Sequence, residues 1–181
     1  MKNPLHSTLR EVTAPTVQRL GYWVSAIELT TDPRGLLVRL FIDGPGGVGI
    51  ADCAKVTREL SPVLDVEDPI PDNYVLEVSS PGIDRLIERP EDFVRFAGFK
   101  VRVKLFDSAG DDAYSDEGST TRRKRFSGEL AGMEEDRVLL RAGDTLHRIP
   151  LADVAIARLT PSPEDYDRLR DVSLAPEGES R

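Results

Sequence analysis

YWVSAIELTTDPRGLLVRLFI, residues 22–42, contains two strand-like segments, Tyr22–Thr30 and Leu36–Ile42, separated by a short polar break. Pro33 and Gly35 in that break favour a tight turn, because proline presets one backbone angle and glycine accepts conformations that other residues avoid. Two apolar segments joined by such a turn are typical of antiparallel neighbours. The stretch therefore predicts a β-hairpin.

A helix is predicted before the hairpin. Leu5, Leu9 and Val12 recur at positions i, i+4 and i+7, which lie on one face of an α-helix. We expect the helix to end at Gly21, since glycine accepts the left-handed conformation that commonly follows a helix. Pro15 is expected to kink the helix or to weaken its middle, because proline cannot donate an intrahelical hydrogen bond.

A second helix and a third strand are predicted after the hairpin. The apolar residues that recur at helical spacing are Cys53, Val56, Leu60, Val63 and Leu64. Tyr74, Leu76 and Val78 then alternate with their neighbours, as in a half-buried strand. The order α-β-β-α-β predicts an α+β domain over residues 1–88, with helices over one face of a three-stranded sheet.

Short strands dominate the second half of the chain. The predicted segments are Phe99–Phe106, Phe126–Met133, Arg137–Arg141, Thr145–Ile149 and Ala155–Leu159. Strands of this length and spacing predict a small β-barrel over residues 89–160. The polar residues 107–121 are interpreted as a flexible arm, and residues 161–181 as a mostly disordered tail or one short helix beginning at Ser162 and Pro163.

The composition limits the possible functions. The 181 residues carry a net charge of −8, so nucleic acid would have to be bound through a local basic patch. Cys53 is the only cysteine, and His6 and His147 are the only histidines, which argues against a disulfide and a zinc site. No apolar run approaches the roughly 20 residues of a spanning helix, so we expect a soluble cytoplasmic protein without a membrane partner.

Cations gather in the predicted barrel. Lys100, Arg102 and Lys104 alternate with aliphatic residues, so all three should share one face of a strand. The run 122–125 adds four consecutive cations that could reach phosphates or an acidic protein surface. For so short a run, simple solvation is an equally good interpretation.

Acidic residues gather elsewhere. Asp65, Glu67, Asp68 and Asp72 form a group that we call the acidic cluster, and solvation is its simplest interpretation. Residues 1–90 hold 9 Lys+Arg against 13 Asp+Glu, residues 91–160 hold 12 against 13, and the tail holds 3 against 6. This division would let one molecule face both a basic protein and RNA.

The sequence lacks the usual motifs of phosphate-binding loops and of catalytic serines. The glycine-rich stretch 44–49 lacks the lysine and the spacing of phosphate-binding loops, which favours a simple connector. Ser79 and Ser80 lack the G-x-S-x-G pattern of a nucleophile, so turn formation explains them better. Asp84 and Arg85 could pair with each other or brace the junction between the domains, and such a structural role is favoured over direct partner contact.

The stretch DCAKVTRELSPVLDVEDPIPDNYVLEVSSPGIDR, residues 52–85, resembles the signature region of the bacterial ribosome maturation factor RimP family, above all in VLEVSSPGIDR. The resemblance continues through EDFVRFAGFKVRVKL, residues 91–105, and more weakly through FSGEL and IARL. Leu86 departs from the family pattern, in which a proline is expected after the arginine.

This resemblance implies a fold and a function. The fold is an α+β N-terminal domain followed by an SH3-like or Sm-like barrel, and the function is maturation of the 30S small ribosomal subunit. The implied partners are the free 30S subunit or its precursor, the basic ribosomal protein of the decoding region numbered twelfth in that subunit and, as an open option, 16S rRNA. The mechanism is binding by a monomer, without catalytic residues, cofactors or metal.

Candidate contact residues come from two places: residues 80–85 of VLEVSSPGIDR, which we call the signature turn, and the predicted barrel. They are Ser80, Pro81, Gly82, Asp84, Arg85, Lys100, Arg102 and Lys104. Two other hypotheses stay open: an Sm-like RNA-binding module without a ribosomal role, and an enzyme that uses the serines with His147 as base.

Overall fold

The computed structural model describes residues 3–106 and 124–174. They form two compact units, and the chain passes from the first to the second between Gly82 and Ile83. The predicted arm, residues 107–121, lies outside the described residues.

The first unit has the predicted order of elements. Its elements are α1 (Pro4–Arg19), β1 (Trp23–Asp32), β2 (Gly35–Asp43), α2 (Ile50–Glu67) and β3 (Tyr74–Ser79). The sheet order is β1-β2-β3, with β1 antiparallel to β2 and β2 parallel to β3. The predicted three-stranded α+β domain is therefore confirmed.

The hairpin closes at the predicted turn. Asp32 is paired with Gly35, and its carboxylate accepts the Arg34 backbone N–H at 2.9 Å. Gly35 has φ +135°, and a Cβ on it would lie 2.1 Å from the Asn73 carbonyl oxygen. That carbonyl accepts the Leu36 N–H at 3.1 Å, so glycine is required where the hairpin meets the entry to β3.

Both helices begin and end through local signals. Asn3 caps α1 by accepting the Leu5 N–H, and the helix continues through Pro15 to Arg19 before Gly21 adopts φ +90°. The α2 helix begins where the Gly49 N–H donates to the Asp52 carboxylate at 2.9 Å. The last residue of α1 is Arg19 and Leu20 caps it, so the predicted end of the first helix at Gly21 is confirmed.

One face of the first sheet is apolar and the opposite face is polar. The helices and this apolar face share a core of buried side chains, chiefly Leu9, Val17, Val56, Leu60, Leu64, Ile27, Val38, Leu40 and Ile42. On the polar face, Arg39 donates to Glu77 at 2.8 Å and to Glu28 at 2.9 Å, which links all three strands. The alternation of side chains along each strand produces both faces.

The second unit contains the five predicted strands. Its elements are α3 (Pro90–Arg95), β4 (Lys100–Leu105), β5 (Arg125–Glu134), β6 (Arg137–Ala142), β7 (Thr145–Pro150), β8 (Val154–Leu159) and α4 (Tyr166–Leu174). The strands form one antiparallel sheet in the order β7-β6-β5-β4-β8. Within the described ranges no ladder joins β7 to β8, so a closed barrel is not confirmed.

A single apolar core underlies this sheet. All five strands contribute to it, together with Phe93 and Phe96 around α3. The tail also contributes, because Ser162 and Pro163 open a 3-10 turn that leads into α4, where Leu169 is only 2% exposed. Part of the tail therefore belongs to the second unit.

The segment before α3 also belongs to the second unit, whereas the sequence suggested a boundary after residue 88. Leu86 forms a bridge with Arg158, and the Ile87 N–H donates to the Ala157 carbonyl at 2.9 Å. Ile87 is itself 1% exposed in the core. Because Leu86 and Ile87 pair with β8 through their backbone, they are part of the second unit.

Candidate functional site: a basic sheet face

Strand β4 separates its cations from its apolar side chains. Val101, Val103 and Leu105 are buried, whereas the intervening side chains are exposed. Those exposed side chains are Lys100, Arg102 and Lys104. The predicted sharing of one face by the three cations is confirmed.

The neighbouring strands add two further cations. Lys104 pairs with Arg125 on β5, and Arg102 pairs with Arg158 on β8. Residues directly opposite each other project on the same side of a sheet. We call this surface the basic face, and its members are Lys100, Arg102, Lys104, Arg125, Ser127, Glu129, Ile156 and Arg158.

The basic face carries five cations and one carboxylate. Arg158 is held at the edge, where its guanidinium donates to the Asp84 carbonyl at 3.0 Å and lies 3.5 Å from the Asp84 carboxylate. The side chains of Arg102, Lys104 and Arg125 form no hydrogen bond or ion pair with other described residues. Three of the five cations are thus available to an external anion.

Lys100 lies beside the start of the tail helix. The Ser162 hydroxyl and backbone N–H donate to the Asp165 carboxylate at 2.7 and 3.1 Å and lower the pKa of Asp165. The charges of Arg168 and Lys100 lower this pKa further. Arg168 also lies 4.1 Å from the centre of the Phe99 ring, so the helix is fixed to the sheet.

The signature turn is divided between the two units. Ser80, Pro81 and Gly82 follow β3 in the first unit, with Pro81 buried and the other two exposed. Gly82 has φ +65°, a conformation that favours glycine. Asp84 and Arg85 belong to the second unit, so the predicted contact residues do not form one group within a single unit.

Asp84 and Arg85 have structural contacts. Asp84 holds Arg158, whereas Arg85 is 7% exposed with its guanidinium 5.0 Å from the centre of the Phe96 ring. The Arg85 carbonyl also accepts the Leu159 N–H at 3.0 Å. These contacts give both residues structural roles inside the second unit, and direct partner contact stays a prediction.

The acidic cluster is on the first unit. Asp65, Glu67, Asp68 and Asp72 are all exposed around the end of α2, and Val66 among them is 81% exposed. Burial raises the pKa of Tyr74, and the carboxylates of Asp65 and Asp68 raise it further. Residues 3–82 hold 6 Lys+Arg against 11 Asp+Glu, a net charge of −5.

The glycine-rich stretch is explained by packing. A Cβ on Gly44 would lie 2.7 Å from the Tyr22 ring. The Tyr22 hydroxyl donates to Asp52 at 2.6 Å, and together with the Gly49 N–H it lowers the pKa of Asp52. The stretch therefore connects β2 to a capped helix, as the connector interpretation predicts.

The candidate catalytic residues have other contacts. The His6 ring nitrogen lies 3.1 Å from the Ile27 carbonyl oxygen, and the His147 ring packs edge-on against Phe126 at 5.1 Å. Ser79 and Ser80 belong to the first unit, whereas His147 belongs to the second. Over residues 3–106 and 124–172, no three His, Cys, Asp or Glu side chains are grouped to hold a metal ion.

The family match falls on the first unit. A sequence model described as the RimP N-terminal domain matches residues 12–84, from the middle of α1 to Asp84 in the signature turn. Residues 12–84 are thus similar to the N-terminal domain of RimP-family proteins. The matched range contains the whole acidic cluster and the VLEVSSPGID stretch, residues 75–84. The basic face lies beyond it. In the part of the chain that the structure describes, no helix is long and apolar enough to cross a membrane.

Arg125 and Arg158 are the two cations of the basic face that sequence reasoning did not place there, and it singled out no charged segment that contains Arg158. Its segment, IARL, shows no long alternation of cations and apolar residues. Only the pairing of β8 with β4 brings Arg158 opposite Arg102. The antiparallel register was the missing information.

Proposed function

We propose that the protein is a maturation factor of the 30S ribosomal subunit that acts by binding. The observation that carries this proposal is the match of residues 12–84 to the N-terminal domain of a family of ribosome maturation factors. A binding factor favours whichever assembly state it binds more tightly, and it needs no reacting group for this. It would act in the cytoplasm as a monomer on the free subunit or its precursor.

The first unit would bind the basic ribosomal protein of the decoding region. Its net charge of −5 favours a cationic partner, and complementary charges speed association and select against wrong partners. Val66 supplies an exposed apolar side chain in the middle of the acidic cluster. A small apolar contact surrounded by carboxylates suits a basic protein surface.

We propose that the five-stranded sheet of the second unit is the SH3-like or Sm-like barrel that the family implies. In support, buried side chains from all five strands enter one core, including Val103, Leu130, Leu140, Ile149 and Leu159. Such a core favours a strongly curved sheet over a flat one.

Fractionation of cell extract on a sucrose gradient at low salt tests the proposal. We expect the protein to comigrate with free small subunits and to be absent from the peak of complete ribosomes. If all of it remains among the light soluble proteins, the ribosomal role is wrong.

A further inference from the structure

We propose that the basic face binds the phosphate backbone of RNA without reading its bases. The choice of RNA rather than another polyanion rests on the proposed function, because the ribosomal subunit supplies RNA. All five cations of the basic face lie in the second unit, beyond the residues 12–84 that the family model matches.

The first step is local charge. Although the chain has a net charge of −8, five cations and one carboxylate share the basic face. Phosphate binding depends on nearby cations because salt screens charges beyond roughly 8–10 Å. The basic face therefore attracts a polyanion despite the sign of the whole molecule.

The second step is the pairing of like charges. Lys104 lies directly opposite Arg125, and neither side chain has an anionic partner among the described residues, whereas Arg158, opposite Arg102, is already held by Asp84. Like charges at directly opposite positions destabilise a sheet, so folding alone does not favour this arrangement. A phosphate placed between two such cations would remove their repulsion.

The third step is spacing. Successive cations on β4 are two residues apart, which corresponds to roughly 6.7 Å along a strand. Neighbouring strands add cations about 4.8 Å to either side. This array suits the repeated phosphates of an extended nucleic-acid strand.

The fourth step is the position of the aromatic rings. Proteins that hold single strands by their bases use exposed aromatic side chains. In β4, β5 and β8 the one aromatic residue is Phe126, which is 1% exposed beneath the sheet, so the basic face itself offers no ring on which bases can stack. Binding should therefore depend strongly on salt and weakly on base sequence.

The test uses purified full-length protein with an oligouridylate and with an RNA duplex of unrelated sequence. Affinity is measured at several KCl concentrations for the wild type and for Arg102→Gln combined with Lys104→Gln. Removing two phosphate contacts should weaken low-salt binding roughly tenfold or more and make the salt slope shallower by about 1.4 for the single strand. The matched control is Arg137→Gln combined with Arg148→Gln, which removes equal charge from β6 and β7.

The control should bind as the wild type does. The inference is overturned if the wild type does not bind RNA, or if the control loses as much affinity as the test variant. It is also overturned if the base sequence of the oligonucleotide changes affinity more than salt does. Lys104→Glu, which places a carboxylate opposite Arg125, is a second variant that keeps the sheet folded and should also lose binding.

The outcomes separate this inference from the proposed function. Comigration with small subunits together with no RNA binding overturns the inference alone. RNA binding without comigration supports the basic face and contradicts the ribosomal role.

Discussion

Asp84 and Arg85 are adjacent in the sequence but make different contacts. Asp84 holds Arg158 at the edge of the basic face, whereas Arg85 packs its guanidinium against Phe96 in a nearly solvent-free position. For this pair the sequence predicted either mutual pairing or a brace at the junction between the domains, because turn residues precede it. It could not reveal the partners, since both are more than ten residues away along the chain.

The Asp165 carboxylate should make the stability of the second unit depend on pH. Hydrogen bonds from Ser162 lower the pKa of Asp165 in the folded state, so its contribution is present above the unfolded pKa and is lost as pH falls through the folded pKa. We expect Asp165→Asn to lower the melting temperature at neutral pH. The difference from the wild type should shrink in acid.

Melting curves measured by circular dichroism across the acidic range would check this. Glu164→Gln is the control, since Glu164 is an exposed neighbour for which no cap contact with a described residue is seen. A constant difference between Asp165→Asn and wild type at every pH would contradict the assignment.

At the scale of elements, β4 is stable because of its buried side and not because of its charged side. Lys104→Glu should convert a repulsive pair with Arg125 into an attractive one, which raises the free energy of unfolding by up to about 1 kcal/mol. Lys100→Glu is the matched control with the opposite sign, because Lys100 faces Glu129. Chemical denaturation of the two variants gives both values.

The two variants should therefore move in opposite directions from the wild type. Equal shifts would mean that cross-strand pairing of charges does not govern the stability of β4. The result bears on function as well, because the variant expected to be more stable is also the one expected to lose RNA.

Most elements were predictable because they depend on local patterns. The hairpin follows from Pro33 and Gly35, and the order of helices and strands follows from apolar periodicity. The pairing of the strands was less predictable. Nothing in the sequence shows that β3 runs parallel to β2 or that Arg158 lies opposite Arg102. The packing of Leu169 into the core was also missed, since α4 offers few apolar residues around it.

At the scale of the whole molecule, charge is divided between the two units. If the acidic cluster binds a basic ribosomal protein, Asp65→Asn combined with Asp68→Asn should weaken that binding by about three- to tenfold, mainly through slower association. Asparagine also tolerates the left-handed conformation of Asp68, with φ +44°. Glu11→Gln combined with Glu164→Gln removes the same charge from other exposed positions and serves as the control.

Surface plasmon resonance with the purified basic protein would give both the affinity and the association rate. Equal weakening by the control would show that net charge, rather than the acidic cluster, governs the interaction. An unchanged affinity in the Asp65 and Asp68 variant would place the contact elsewhere on the molecule.

The central claim, that this chain is a binding factor for the immature small subunit, is tested most directly by equilibrium titration. Purified protein carrying a fluorescent label would be titrated with free small subunits, with large subunits and with complete ribosomes under one buffer condition. We expect saturable binding to free small subunits and at least roughly tenfold weaker binding to the other two, which corresponds to about 1.4 kcal/mol. Equal binding to all three particles, or binding to none of them, would contradict the claim.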